Sequence, residues 1–404
     1  MPIVVQKYGG SSVADPDKIR NVARRVGKSH DAGSQVVIVI SAMGDTTDEL
    51  IALAHKITDH PDDREMDLLL STGEIVSSTL LAMALHKMGY KAISLTGRQA
   101  GIFTDKAYNK AKILKVESER ILEELNEGNI VVVAGFQGIN DDQDITTLGR
   151  GGSDTTAVAL AISLKAKVCE RFTDVDGIYT TDPRFCAEAH KLKEITYDEM
   201  LELTSSGSKA IHYRAVELAG VYNMPLLVAS SFDDSPGTLI HGGHMEVRNK
   251  ARGIAHDLDV AKVTITGIPD QPGVAASIFE PLAKAGISVD TIVQNASSAN
   301  ITDLTFTVAK SDVKKALEVI NPIATGLGAK KVTTDSKLGK ISVVGTGMQN
   351  TPGYAAKMFS ALSKEGINIQ LITTSEIRIT CIIEESRVKD AVKALHKAFE
   401  LDTD

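Results

Sequence analysis

Apolar positions in the first part of the chain form short β-branched runs that alternate with stretches of helical period. "IVVQKY" (3–8), "VVIVIS" (36–41), "IVVVAGF" (130–136), "AKVCERFT" (166–173) and "PLLVAS" (225–230) read as strands. Amphipathic spacing predicts helices between them over Asp15–Ala32, Met66–Met88 and Val116–Glu127. Strands apolar on both faces and separated by helices predict an α/β fold, with a mostly parallel sheet covered on both sides. Ligands of such sheets collect at the carboxyl ends of the strands, where the glycine-rich turns after the first and third of these runs fall.

The alternation stops near residue 232. "SFDDSPGTLIHGGHMEVRNKARG" is rich in turn residues and mixed charge and predicts a linker over about 232–258, with the first domain ending near 245. An internal repeat follows. "TGIPDQPGVAASIFEPLAKAGISVDTI" (266–292) aligns without a gap to "TGMQNTPGYAAKMFSALSKEGINIQLI" (346–372), with 12 of 27 positions identical. Each copy reads strand, Pro-Gly turn, helix, Gly-Ile, strand, so a tandem pair of βαββαβ domains is expected at 259–336 and 337–404.

Composition narrows the classes. A chain of 404 residues suffices for two or three domains. Its net charge of −8, without a basic block, argues against a nucleic-acid surface. Cys169, Cys186 and Cys381 form no CxxC pair and no even framework, which points to a reducing compartment without structural zinc. "MPIVVQKYGG" lacks a signal-peptide pattern and no uninterrupted apolar run approaches 18 residues, so a cytoplasmic location away from membranes is expected.

Two phosphate motifs fail. The Gly-Lys-Ser of "VGKSH" (26–30) has Val22 where a Walker loop needs glycine, and "GTGMQN" (345–350) ends in Asn where a dinucleotide fingerprint needs glycine. "KYGGSS" (7–12) and "GRGGSDTT" (149–156) are stronger. Each puts bare backbone and hydroxyl donors after a strand, the second at a helix start, where free amides and the dipole favour anions. Two amide-rich turns at one sheet edge suit a polyphosphate. A glycine turn capped by Ser153 or Asp154 is the plain alternative for the second.

Together with "VISAMGDTTDEL", "STGE", "VAGFQG", "TTLGRGGSDTTAVALA", "TDVDGIYTTDPR" and "TSEIRI", these motifs run in order along essentially the whole chain. The chain thereby resembles aspartate kinase of the short type, with an amino-acid kinase fold and two C-terminal ACT domains. The resemblance implies transfer of the ATP γ-phosphoryl group to the β-carboxylate of L-aspartate, giving 4-phospho-L-aspartate, on the route to lysine, threonine, methionine and isoleucine. Magnesium would arrive on the nucleotide, with no metal cage of side chains. An ordinary carboxylate, with a pKa of about 4, is already ionised at neutral pH, so no general base is needed. The protein has to align two anions and neutralise the charge that spreads over the phosphoryl oxygens.

The same resemblance assigns residues. Lys7 and Lys209 would supply the cations and Asp154 would orient them. Tyr8, Gly9, Gly10, Ser11, Gly151, Gly152 and Ala210 would line the phosphates. Thr173, Asp174, Tyr179, Asp182 and Arg184 would hold ribose and adenine. Glu74 would take the ammonium of aspartate and Arg150 would fork onto its α-carboxylate, a task suited to guanidinium. Ser41, Thr47, Gly151 and Ser153 would complete that pocket. In the repeat, Asp270, Ala275, Asp290 and Gln294 of the first copy match an effector site, as do Asn368, Ile369, Ser375 and Glu376 of the second. Lysine and/or threonine would act there in a homo-oligomer. Met245 offers an internal start for a separate regulatory chain.

Two departures from the family pattern stand out. Arg171-Phe172 replaces an apolar residue and Tyr, which brings a charge into a central strand, and Tyr213 stands where many relatives have Pro. His212 reads as a packed residue. A glutamate 5-kinase-like enzyme of the same fold is disfavoured by the repeat and by the Glu74/Arg150 pair. A non-catalytic amino-acid sensor is disfavoured by the intact Lys7, Asp154 and Lys209. Length and the missing dinucleotide fingerprint exclude a fused homoserine dehydrogenase.

Overall fold

The β-branched runs form a largely parallel sheet, and most of their residues are fully buried. The computed structural model describes residues 1–243, 251–295, 300–346, 348 and 352–402. Met245 lies outside them. The chain divides into two units. One takes residues 1–179, 191–205 and 209–247, and the other takes 180–190, 206–208 and 248–404.

In the first unit β1 (Ile3–Tyr8), α1 (Pro16–Asp31), β2 (Gln35–Ile40), α2 (Thr46–Ile57), α3 (Asp63–Lys87) and β3 (Ala92–Leu95) come first. Then follow β4 (Ile102–Thr104), β5 (Ile113–Val116), α4 (Glu119–Asn126), β6 (Ile130–Ala134), β7 (Gln137–Ile139), β8 (Ile145–Thr147) and α5 (Gly152–Ser163). The unit closes with β9 (Cys169–Thr173), β10 (Glu194–Thr196), α6 (Tyr197–Ser205), α7 (Tyr213–Val221), β11 (Leu226–Ser230) and β12 (Thr238–His241). The main sheet has the order β10-β12-β11-β9-β1-β2-β6-β3, parallel from β11 to β3, with β12 antiparallel to β11. The four-stranded sheet β5-β4-β7-β8 is built from residues between α3 and α5. It takes Val116 into β5, so the helix expected over Val116–Glu127 begins at Glu119.

Helix α3 contains an 18-residue window of mean hydropathy 1.6, long and apolar enough by composition to cross a membrane. Half of that window is buried in this fold, and the helix packs on α1, β3, β6 and β8. It is a core helix with a polar stripe, because Asp67, Ser71, Glu74 and Ser78 are buried at helical spacing among its leucines.

In the second unit β13 (Gly253–Pro269), α8 (Val274–Lys284), β14 (Ile292–Gln294), β15 (Ile301–Val308), α9 (Val313–Gly326) and β16 (Lys331–Val344) form the first half. The second half comprises α10 (Tyr354–Lys364), β17 (Ile369–Thr374), β18 (Arg378–Glu384) and α11 (Val388–Ala398). All six strands make one antiparallel sheet, ordered β14-β15-β13-β16-β18-β17. Two apolar cores lie beneath the helix pairs, one around Ile265, Leu282 and Phe306, the other around Ile341, Leu362 and Leu395.

The repeat differs from two successive units. Among the described residues no strand follows α11, so the second copy lacks its own last strand. Gly253–Asp257, at the start of β13, pairs with Val344–Lys340 of β16 and fills that place, with Ile254 in the second copy's core. The first copy is therefore nested within the second, and residues 253–258, read from sequence as linker, are strand. The turn residues around Asp234 and Pro236 mislead because the chain re-enters a sheet soon after them.

Candidate active site

At the carboxyl end of β1 the chain turns through Gly9 and Gly10 and interlocks with the turn after β2. Ser41 N–H donates to Tyr8 O at 3.1 Å and Gly44 N–H to Gly10 O at 3.2 Å. A side chain at Gly10 would lie 2.9 Å from Ala42 O, so this approach requires glycine. Tyr8 is fully buried and stacks on Phe172 at 5.0 Å, which leaves only its backbone at the turn.

Helix α5 starts on Gly151, whose φ of 69° is left-handed and whose missing Cβ would meet His212 Cγ at 2.0 Å. Gly151 is the N-cap, and neither Ser153 nor Asp154 caps the helix with its side chain. His212 caps α7, where Nδ1 accepts from Arg214 N–H at 3.4 Å, and burial lowers its pKa. Of the four glycine amides expected to line phosphates, Gly9 N–H donates to Phe172 O and Gly152 N–H to Gly149 O. Those of Gly10 and Gly151 have no hydrogen-bond acceptor among the described residues.

Asp154, on the first turn of α5, reaches β1. Its Oδ1 lies 2.6 Å from Lys7 Nζ, and both side chains are buried. Arg171, in register with Lys7 on the neighbouring β9, points inward as well, and its Nε donates to Oδ1 and Oδ2 of Asp154 at 3.1 Å each. Burial pushes the Asp154 carboxyl up, but the Arg171 and Lys7 charges outweigh it and hold the group well below the carboxylate range. Burial lowers the Lys7 pKa, with Asp154 opposing and Arg171 adding to the drop.

Glu74 rises from α3 beneath the turn after β2. Its Oε1 accepts from Ala42 N–H at 3.2 Å, while Oε2 is buried without a partner. Burial pushes its pKa up to about 7, against the pull of the Ala42 N–H and of the Lys7 charge. Glu74, Lys7 and Asp154 thus share one neighbourhood with the two turns. Ser77 Oγ donates to Ser41 O at 2.7 Å and ties the helix to the turn. Ser153 is buried against Gly135, Thr47 lies in the first turn of α2, and Ser11 and Arg150 are exposed.

Lys209 is exposed in the turn between α6 and α7, next to a half-buried Ala210. Thr173 Oγ1 donates to Asp174 Oδ1 at 3.0 Å, and Tyr179 OH donates to Asp176 Oδ1 at 2.9 Å. Asp182 and Arg184 belong to the second unit, where Arg184 forks onto Asp182. Within the repeat, Gln294 Nε2 donates to Asp270 Oδ1 at 3.4 Å, and Lys340 Nζ lies 2.9 Å from Asp290 Oδ2. Ala275, Asn368, Ser375 and Glu376 are exposed. Gln294 on β14 and Ile369 on β17 belong to opposite edge strands of the sheet, while Val293 and Leu371 pack on one apolar cluster with Val260, Leu338 and Ile382.

Two structuring residues escaped the sequence reading, and a third, noted there only as a departure, gains a partner in the fold. Buried Asp67 accepts from the backbone of Asn109 and Thr147 and from Thr147 Oγ1 at 2.6 Å, which anchors β8. Arg214 donates to Leu148 O and Ala111 O and so fixes the entry to the second glycine turn. Arg171 is the third. Asp67 was signalled by its place two turns before Glu74 on one helix face, and Arg171 by a charge inside an apolar strand.

Residues 2–230 match the amino acid kinase family, and residues 263–322 and 341–399 match the ACT domain. The chain is 51% identical over 404 residues to aspartate kinase Ask_LysC of Stutzerimonas stutzeri, covering all of this chain and 98% of that protein. It is 50% identical over 405 residues to the aspartokinase of Pseudomonas aeruginosa, with the same coverage of 100% and 98%. Escherichia coli aspartokinase III in complex with aspartate and ADP superposes with a TM-score of 0.82 at 26% identity, covering 98% of this chain and 100% of that one. Its complex with lysine and aspartate gives 0.78 at 26% identity, with coverage of 98% and 99%. Full-length similarity to these kinases, on a fold that brings Lys7, Asp154 and Glu74 together at two glycine turns, establishes that the chain belongs to the aspartate kinase family, which transfers phosphate from ATP to aspartate.

Proposed function

We propose that the turns after β1 and β2 and before α5 form the site at which the γ-phosphoryl group of ATP passes to the β-carboxylate of L-aspartate. The observation that carries this reading is the pairing of opposite needs within one neighbourhood. Glu74 presents a buried carboxylate oxygen without a donor, and Lys7, held by Asp154, lies close enough for its charge to act on Glu74. Aspartate offers an ammonium for the first, and the phosphates offer anions for the second.

In this assignment Lys7 faces the transferred phosphoryl group, held by Asp154. The amides of Gly10 and Gly151 and the hydroxyl of Ser11 line the phosphates. Arg150, exposed at the mouth of the second turn, takes the α-carboxylate, with Ser41, Thr47 and Ser153 around the substrate. Lys209 is the second cation, brought in from its exposed turn. Thr173, Asp174 and Tyr179 serve the ribose and adenine. Mg2+ is assigned as an ion carried on the phosphates. It would neutralise phosphate charge, while the chain's own groups align the two anions.

The enzyme is assigned to the cytoplasm as a homo-oligomer. Its effector sets at Asp270, Ala275, Asp290 and Gln294, and at Asn368, Ile369, Ser375 and Glu376, each lie at one edge of the sheet and would be completed by another copy. Escherichia coli aspartokinase III has been solved with lysine, which makes lysine, with threonine, the effector to test. Release of ADP, followed with aspartate and separately with glutamate, tests the catalytic assignment. Turnover with aspartate alone is expected, and turnover with glutamate alone would overturn the substrate.

A further inference from the structure

The roles above leave Arg171 without a task, although it is nearly buried beside the reacting groups. Its register partner on β1 is Lys7, so the two side chains leave adjacent strands on one face and converge on Asp154. A clamp on Asp154 accounts for Nε, which sits across both carboxylate oxygens. It leaves Nη1 unexplained, because that nitrogen is buried with no hydrogen-bond partner. An unmet buried donor is costly, and a charge more so.

The charge count makes the same point. One carboxylate lies between an ammonium and a guanidinium, so the ionised trio carries a single positive charge in excess. Lys7 and Asp154 alone would cancel, and a cancelled pair attracts a phosphate weakly. Glu74 shares this neighbourhood, but burial pushes its pKa up to about 7 and weakens it as a counter-charge, so the surplus is met best by a further anion. The turn at Gly9 lies directly beside Lys7, with that glycine's missing Cβ 3.8 Å from Nζ. An apolar side chain at position 171 would fill the strand without incurring either cost.

We propose that Arg171 is a third cation of the phosphoryl-transfer site, a positioning residue that fixes Asp154 and leaves the Lys7–Asp154–Arg171 trio one positive charge to offer the nucleotide phosphates. This inference rests on the assignment of Lys7 to the phosphate side of the site. Arg171 makes its polar contacts with Asp154 and none with Glu74 or Arg150, the groups assigned to aspartate.

The test uses the full chain and compares wild type with Arg171→Leu, Arg171→Lys and Lys7→Ala. MgADP affinity is measured by titration calorimetry, and kcat and the KM for aspartate by ADP release. Arg171→Leu is expected to weaken MgADP binding about tenfold and to lower kcat by a similar factor or more, the loss of one charge-assisted contact. The KM for aspartate stays within about twofold, and Arg171→Lys recovers most of the nucleotide affinity. Where Arg171→Leu does not fold, Arg171→Gln keeps the bulk without the charge and is judged identically. If Lys7→Ala retains both MgADP affinity and kcat, the phosphate assignment itself fails. If Lys7→Ala loses them while Arg171→Leu binds MgADP as wild type does, only the role of Arg171 is overturned. Equal losses for aspartate and nucleotide without rescue by Lys would also overturn it, because they mark a purely structural residue.

Discussion

Each unit of the molecule buries a lysine against an aspartate, and the two pairs differ in what surrounds the acid. In the kinase unit Lys7 and Asp154 are 7% and 6% exposed, with Arg171 on the other side of the carboxylate. In the repeat unit Lys340 is 4% exposed but its partner Asp290 is 46% exposed. A carboxylate gripped by two cations away from water has one position and one charge state, which suits a site that must be arranged before the reaction. A half-solvated carboxylate can exchange its partner for water or for a ligand's ammonium at little cost, which suits a site that must respond. Burial of the acid, more than the ion pair itself, separates the two.

The comparison breaks most visibly at Asp154. Asp154→Ala leaves Lys7 and Arg171 as buried like charges, so kcat is expected to fall about 100-fold to 1,000-fold. Unfolding in urea should show a loss of about 3–5 kcal/mol. Near-native values of both would mean that the trio is not preorganised.

Glu74 comes next, with effects of opposite sign on stability and activity. Its folded pKa of about 7 lies above the ordinary 4.5, so the native state is favoured fully below the lower value and loses that advantage as the pH rises through 7. A gap of this size corresponds to roughly 3 kcal/mol. Glu74→Gln should therefore be more stable than wild type at pH 8, by up to about that amount, with the difference closing by pH 4. Its KM for aspartate should rise steeply. Denaturation curves at the two pH values check the first part, and equal stability offsets at both would refute it.

The smallest change is expected at Asp290. Asp290→Asn removes a half-exposed partner, so unfolding should shift by about 1 kcal/mol or less, with basal turnover unaltered. Inhibition by lysine or threonine is where the variant should differ, and inhibition curves identical to wild type would remove Asp290 from the effector set.

Local chemistry made much of the molecule legible. The strand runs announced themselves by β-branched content, and α1 by the cap of Asp15 and the proline after it. Gly10 and Gly151 were legible as glycines that a close approach or a left-handed turn requires. Where the reading failed, a distant partner decided. Only the capping alternative for Asp154 falls, because Lys7 and Arg171 claim its carboxylate from two strands, and the pairing with Lys7 is the one the family resemblance implied. The segment at 253–257 looked like linker because its partner strand comes some 85 residues later. Gly9 and Gly152 looked like phosphate donors, but their amides are committed to Phe172 O and Gly149 O.

Taken alone, the sequence determined the central strands and the main helices beside them, the repeat, and the residue types that a phosphate and an amino acid demand, because periodicity, turn chemistry and charge are properties of neighbours along the chain. Only the tertiary structure decided that Arg171 points inward, that Glu74 keeps one oxygen unpaired, and that the first copy of the repeat is nested in the second. Burial and strand register depend on residues far apart in sequence, and one strand's direction sets whether its charge meets water or a carboxylate.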